Sequence, residues 1–339
     1  MLWKNQKISC LIESTTYCNA KCPQCSRTSR DGLNFSNICE LKHVTLSEWI
    51  ESYAKSYEHI DVLHFSGNWG DCFMNPEIED IFKHIRENSD CQISFSTNGS
   101  LRNPDFFWRI GVDNYKRISG TFDVDGFSQK NHEMYRRNTN LDKVKENAET
   151  FAATNNYTKI FTIVFKHNQD EVESISKWAE EIGAKHEILQ SNRFKYGSKD
   201  TYTYEDVEYT LEQTTKQEYY HHVDVENIGR KVRDHRHFYK ENNDIQCTWG
   251  LGNKVYVDEY QNVWPCCYWH LRAARIDLRV RPLDDSVVFD DYFKNIKKRV
   301  FNLKDFTLKE ILQKQFYRKD LVKSFNEEPY KICNIICGV

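Results

Sequence analysis

The sequence predicts an α/β protein, an open and partial β/α barrel followed by a small hairpin-plus-helix domain. Three observations predict it. Over residues 1–195, short β-rich apolar runs alternate with runs of helical period. The rhythm breaks over the polar stretch 196–246, and an apolar–polar hairpin pattern opens 247–339. The composition suits a sizeable core: of 339 residues, 39% are hydrophobic, 14% aromatic and 29% charged. That is the balance of a folded globular chain rather than a disordered one.

ISCLIE (8–13) reads as the first strand. TLSEWIESYAKSY (45–57) reads as a helix, with Thr45 as N-cap and Glu48 at capping-box spacing. VLHFSG (62–67) is a second strand. PEIEDIFKHIRE (76–87) is a helix with Ile78, Ile81, Phe82 and Ile85 on one face. QISFSTNG (92–99) is a third strand, followed by a short helix, PDFFWRIG (104–111), closed by Gly111. RISGTFDVDG (117–126) contains strand four, and LDKVKENAETFAA (141–153) is a helix. KIFTIVF (159–165), DEVESISKWAEEIG (170–183) and HEILQ (186–190) complete the series as strand, helix and strand.

Strand–helix units at this rhythm demand parallel strands with right-handed crossovers. Six units give a partial (β/α)6 TIM-like barrel rather than a closed eight-fold one. Active sites of such sheets lie at the C-terminal strand ends. Residues 196–246 read as a connector or substrate-facing insertion; YYHH (219–222) and HRHFY (235–239) within it read as a solvated face. In 247–339, KVYVDEYQNVWPCC (254–267) alternates around a turn at Glu259–Asn262, and LKEILQKQFYRKDLVKSF (308–325) reads as a helix.

The net charge of −3 gives no electrostatic case for nucleic acid or an anionic membrane as the main partner. MLWKNQKISC (1–10) lacks the apolar segment of a signal peptide. No apolar run approaches the ~18 residues needed to span a membrane. The expected location is a reducing cytoplasm, where twelve cysteines point to metal or chemistry rather than to bridges.

The cysteines divide into two sets. Cys18, Cys22 and Cys25 follow the first strand, in the stretch CNAKCPQC. Cys247, Cys266, Cys267, Cys333 and Cys337 lie in the C-terminal segment. A disulfide framework wants a secreted context, and a structural zinc site wants four protein ligands. Three thiolates can instead hold an iron–sulfur cluster with one iron left open. Cys10 and Cys91 read as buried packing residues, and Cys39 as a loop residue.

The spacing C18-x3-C22-x2-C25 after strand one resembles the radical S-adenosylmethionine (radical SAM) superfamily. The resemblance implies a 4Fe–4S cluster on Cys18, Cys22 and Cys25, with S-adenosylmethionine on its open iron. Other segments agree in order. FSGNWGDC offers Gly70 and Asp71 where the family has a Gly-Gly-Glu-like loop, with Asp71 in place of the usual Glu. STNGS resembles the family's T-N-G stretch at Thr97, Asn98 and Gly99. FDVDGFSQKNHEMYRR resembles its S-x-D-G…H…R segment, with Asp125, Gly126, His132 and Arg136 or Arg137; Asp123 stands where a polar residue meets the ribose. The resemblance thus implies Gly70, Asp71, Thr97, Asn98, Asp123 and Arg137 as cofactor-binding residues. One departure is Gln24, where the family carries an aromatic beside the adenine.

The second set resembles the auxiliary-cluster extension called a twitch domain, the shorter relative of SPASM domains. That likeness implies Cys247, Cys266, Cys333 and Cys337 as ligands of a second 4Fe–4S cluster, with Cys267 as an alternative to Cys266. A four-cysteine zinc site is the rival there. Neighbours on an extended strand point to opposite faces, so one of Cys266 and Cys267 should ligate.

The implied function is reductive cleavage of S-adenosylmethionine to a 5′-deoxyadenosyl radical and hydrogen abstraction from an unactivated C–H. An oxidoreductase outcome on a peptide or protein side chain is expected. Radical dehydrogenation of a small alcohol or sugar, and a non-catalytic iron–sulfur or zinc protein, are the alternatives. Peptide-modifying relatives often carry a leader-binding domain; with seven residues before strand one, such a domain would be a separate protein. An external electron donor such as flavodoxin or ferredoxin is implied. Asp125 and Cys72 are the candidate catalytic residues: a thiol in the Asp71 loop is either a hydrogen-atom donor or a small packing residue.

Overall fold

The computed structural model describes every residue except 1, 4–6, 192, 195–197, 220–244, 272–291, 293–294, 328, 331–332, 334–336 and 338–339. Strands β1 (Ile8–Ile12), β2 (Ile60–Phe65), β3 (Gln92–Thr97), β4 (Ile118–Asp123), β5 (Tyr157–Val164) and β6 (Lys185–Gln190) lie side by side in chain order, all parallel. The crossovers carry α1 (Leu46–Tyr53), α2 (Ile78–Asn88), α3 (Pro104–Asp113), the short α4 (Gln129–Glu133) and α5 (Leu141–Ala152), and then α6 (Val172–Glu181). The sheet has free edges, so the barrel stays open, as the six-unit rhythm implies.

Local chemistry sets these elements. Thr45 caps α1 in a full capping box with Glu48, worth about 1 kcal/mol. Pro104 opens α3 behind the N-cap Asn103. Gly111 does not close that helix. The helix continues to Asp113, and Gly111 sits inside it, where a Cβ would come within 2.5 Å of Thr154. The glycine is there for close packing, not for termination.

Strand alternation separates two faces. In β5, Ile160, Thr162 and Val164 are buried, while Lys159, Phe161 and Ile163 are half-buried and line the barrel interior. The helix-side face is aromatic. Phe73, Phe95, Phe106 and Phe107 meet edge-to-face, with centroids 4.9 to 5.2 Å apart around Phe73. Full burial of each Phe is worth ~2 kcal/mol, and edge contacts add to it.

The segment 196–246 contains an ordered hairpin, β7 (Lys199–Tyr204) and β8 (Val207–Glu212). Of the Tyr and His clusters expected as a solvated face, 220–222 and 235–239 lie outside the described residues. After α7 (Thr248–Leu251), the expected C-terminal hairpin forms as β9 (Lys254–Val257) and β10 (Val263–Trp264). It does not stand apart: β9 pairs parallel with β1, so the hairpin extends the barrel sheet to eight strands. Val255, Tyr256 and Val257 share one core with Cys10 and Ile12. The helix expected over 308–325 is broken. α8 (Leu308–Gln313) ends where Lys314 turns extended (ψ 153°), a π-turn covers Phe316–Asp320, and α9 (Leu321–Glu327) follows. Among the described residues, no helix is long and apolar enough to cross a membrane.

Candidate active site

A cavity of about 500 Å³ opens at the C-terminal ends of the strands. Cys18, Cys22 and Cys25 line it, together with Gly70, Asp71, Thr97, Asn98, Asp123 and Arg136. Among the described residues no fourth cysteine lines it. His64, Ser96, Thr121, Lys159 and Glu187 extend it into the barrel interior from the inward faces of the strands. Burial lowers His64 to about 4, with Lys159 and Lys254 adding to the effect, so it is neutral near pH 7.

The cysteine loop is a tight turn. The Cys25 amide donates to the Cys22 carbonyl (3.0 Å), and the Thr28 hydroxyl donates to the carbonyls of Cys22 (2.6 Å) and Cys25 (3.1 Å). Burial pushes the Cys18 thiol up, and Cys22 up to about 11 against the lowering effect of Arg136. A metal is the charge that reverses such a shift and favours thiolate. Among the described residues, no three His, Cys, Asp or Glu side chains converge at metal-ligand spacing. The thiols share a cavity without being drawn onto one point. Three thiolate donors and open volume beside them fit a cluster with one free coordination position.

Asp71 braces the two loops behind the cavity. Its Oδ2 accepts from the Thr97 hydroxyl (2.8 Å), the Asn98 amide (2.8 Å) and the Asn98 side-chain amide (2.7 Å). The Asn98 side chain also donates to Asn19 (2.8 Å) and approaches the Cys18 sulfur (3.9 Å). Burial raises the Asp71 carboxyl, and the Asn98 and Thr97 donors hold it down.

Of the two candidate arginines, Arg136 faces the cavity. Its Nη1 lies 3.0 Å from Asp123 and its Nε 2.5 Å from Asp125. Asp125 is fully buried and also accepts from the Ile163 amide (2.6 Å). Desolvation raises both carboxyls and Arg136 lowers them, with Asp123 reaching about 7. Arg137 does not join the set. It bonds the Tyr202 hydroxyl (3.1 Å) and lies 3.9 Å from the Tyr209 ring centroid. His132 is buried and held neutral, at about 3, by desolvation. Its Nδ1 accepts from the Asp125 amide (3.2 Å), which fixes the Asp125 loop.

Cys72 is buried in the aromatic core and does not line the cavity. Gln24 also turns away from it. Its side chain accepts from the Ser191 hydroxyl (2.6 Å) and donates to Asp200 of β7 (3.1 Å).

One residue escaped the sequence reading. Glu13, just past β1, is fully buried and gathers the 67–70 loop. It accepts from the amides of Asn68 (2.6 Å), Trp69 (3.1 Å) and Gly70 (3.0 Å), and from the Tyr256 hydroxyl (2.7 Å). A Cβ on Gly67 would fall 1.9 Å from its carboxylate, and one on Gly70 1.9 Å from the Thr15 carbonyl. Burial pushes Glu13 up to about 7, against the lowering effect of these donors. The signal was an acid ending the apolar run ISCLIE, since buried carboxylates require partners.

The second cysteine set meets in a separate small apolar cavity. Cys247, Cys266, Cys333 and Cys337 line it with Trp249, Tyr268, Trp269 and Phe325. Cys267 does not line it. The Cys247 thiol hydrogen-bonds Cys337, which lowers the Cys337 thiol and raises Cys247. Four soft donors in an apolar shell fit either a 4Fe–4S cluster or zinc.

Residues 12–179 match the sequence model of the family described as Radical SAM superfamily, so this stretch is a radical SAM superfamily domain. A search of the curated proteins found no match. Among solved structures, the chain resembles a hexahistidine-tagged anSMEcpe with bound AdoMet, with 17% identity and a TM-score of 0.55 over 94% of this chain and 81% of that one. It resembles SuiB from Streptococcus suis bound to S-adenosylmethionine, with 13% identity and a TM-score of 0.54 over 97% and 77%. SuiB bound to its precursor peptide SuiA gives 12% identity and a TM-score of 0.53 over 97% and 76%. At these identities the likeness is one of fold: an α/β, mostly parallel sheet of the radical SAM type.

Proposed function

We propose that this protein is a radical S-adenosylmethionine enzyme that oxidatively modifies a peptide or protein side chain. The carrying observation is the three-thiol loop opening on the strand-end cavity, with no fourth thiol there among the described residues. Cys18, Cys22 and Cys25 would hold a 4Fe–4S cluster, and Cys247, Cys266, Cys333 and Cys337 a second one. When bound, the first cluster would supply the electron for reductive cleavage of the cofactor, and the second would take up one electron in the oxidation of the substrate.

The chain's own residues do the rest. Asp71, Thr97 and Asn98 shape the wall beside Cys18 where the methionine end of the cofactor would sit. Arg136 holds Asp123 at the cavity through the buried anchor Asp125. An ionised Asp123 accepts hydroxyl hydrogen bonds of the kind a ribose offers. Glu13 holds the amides of Asn68, Trp69 and Gly70 inward beside the cavity. A peptide substrate is supported by the SuiB structure of the same fold, which is bound to a precursor peptide. The first electron would come from an external donor such as flavodoxin or ferredoxin, in a reducing cytoplasm.

The test is formation of 5′-deoxyadenosine from S-adenosylmethionine by anaerobically reconstituted, dithionite-reduced protein. Wild type should form it, and the Cys18→Ala, Cys22→Ala and Cys25→Ala variants should not. Equal formation by wild type and variants would overturn the assignment of the cluster loop.

A further inference from the structure

Gln24 stands between Cys22 and Cys25, and its contacts reach far along the chain. Its side-chain oxygen accepts from the Ser191 hydroxyl (2.6 Å), at the exit of β6. Its side-chain nitrogen donates to Asp200 Oδ2 (3.1 Å), on β7. Its carbonyl accepts from Arg193 Nη1 (3.3 Å). Asp200 is also paired with Arg30 (2.7 Å), five residues past Cys25, and the Arg30 carbonyl accepts from the Thr203 amide (2.9 Å). The hairpin therefore grips the cysteine loop from both sides of Cys25. Arg137 completes the attachment: the Lys21 amide donates to its carbonyl (2.9 Å), while its guanidinium bonds Tyr202 (3.1 Å).

We propose that Gln24 and Asp200 are positioning residues: the β7–β8 hairpin, through Gln24, sets where Cys22 and Cys25 present their thiols. This rests on the cluster assignment above. An apolar aromatic at position 24 has neither the acceptor for Ser191 nor the donor for Asp200. The hydrogen bond to Asp200 is charge-assisted, and Gln24 and Asp200 are both largely buried, so it is directional and poorly replaced by water. Arg193 lines the cavity, so the same link also fixes one cationic wall of the site.

The experiment uses the full chain in two states. In iron-free protein, iodoacetamide alkylation of Cys22 and Cys25 is followed by peptide mass spectrometry. Asp200→Ala and Gln24→Leu should speed both by about tenfold, the factor carried by a lost hydrogen bond to a charged group. Buried Cys10 should stay slow, and Glu212→Ala, which removes the hairpin's ion pairs to Lys166 and Lys199 and no contact to the cysteine loop, should match wild type. In reconstituted protein, Asp200→Ala should keep its iron and raise the KM for S-adenosylmethionine while Glu212→Ala does not. Wild-type alkylation rates in Asp200→Ala, or equal effects from Glu212→Ala, would overturn the proposal. If wild type takes up no iron, the cluster assignment fails on its own, and the alkylation contrast still decides the positioning.

Discussion

Asn98 is bound to Asp71 twice. Its main-chain and side-chain amides both donate to the same carboxylate oxygen, at 2.8 and 2.7 Å. This ties the loop after β2 to the loop after β3 and brings Asn98 to within 3.9 Å of Cys18. Asp71→Ala would leave the Asn98 and Phe73 amides and the Thr97 hydroxyl without their acceptor. A loss of about 3 kcal/mol is expected, from buried donors left unpaired. Urea unfolding measures it. 5′-Deoxyadenosine formation should fall even where the variant remains folded.

Glu13 gives the fold a pH dependence. Burial raises its carboxyl from 4.5 to about 7. The folded chain therefore holds this proton more tightly than the unfolded chain does. Stability from this group is fully present below about 4.5 and is lost as pH rises to about 7. The shift corresponds to about 3 kcal/mol. Glu13→Gln keeps an acceptor and removes the titration. Urea midpoints measured from pH 5 to 8 should then lose this downward trend relative to wild type.

Cys72 lies in the core rather than on the cavity wall. Cys72→Ala should cost about 1 kcal/mol, the scale of removing one small buried group. Cofactor cleavage and substrate product should be unchanged. A changed product would return this thiol to the mechanism as a hydrogen-atom donor.

Cys266 and Cys267 are adjacent but lie past the end of β10, where Cys267 opens a helical turn, so strand alternation does not separate them. Only Cys266 lines the cavity shared with Cys247, Cys333 and Cys337. Cys266→Ser should lower bound metal at the second site, and Cys267→Ser should leave it at the wild-type level. Metal analysis of the two variants checks this.

The barrel was legible because its signals are local. Apolar runs such as KIFTIVF and the capping box at Thr45 dictate strand and helix without knowledge of neighbours. The cysteine spacing was legible for the same reason. What the sequence left open depends on contacts distant along the chain. Arg136 and Arg137 are adjacent, and only the packing of Tyr202 and Tyr209 from the β7–β8 hairpin decides that Arg137 turns away. Gln24 looked like a departure at the adenine, and its partners Ser191 and Asp200 lie more than 160 residues on. The attachment of β9 to β1 joins residues that lie more than 240 apart, as does the Tyr256 hydrogen bond to Glu13. Gly111 misled because a glycine near a helix end reads equally as a terminator or as a close contact.

The most direct measurement is iron, acid-labile sulfide and zinc per chain in anaerobically reconstituted protein. Two four-iron clusters give about eight irons with matching sulfide, and no zinc. That is the expected result. Protein that takes up no iron would contradict the central claim, whatever its fold.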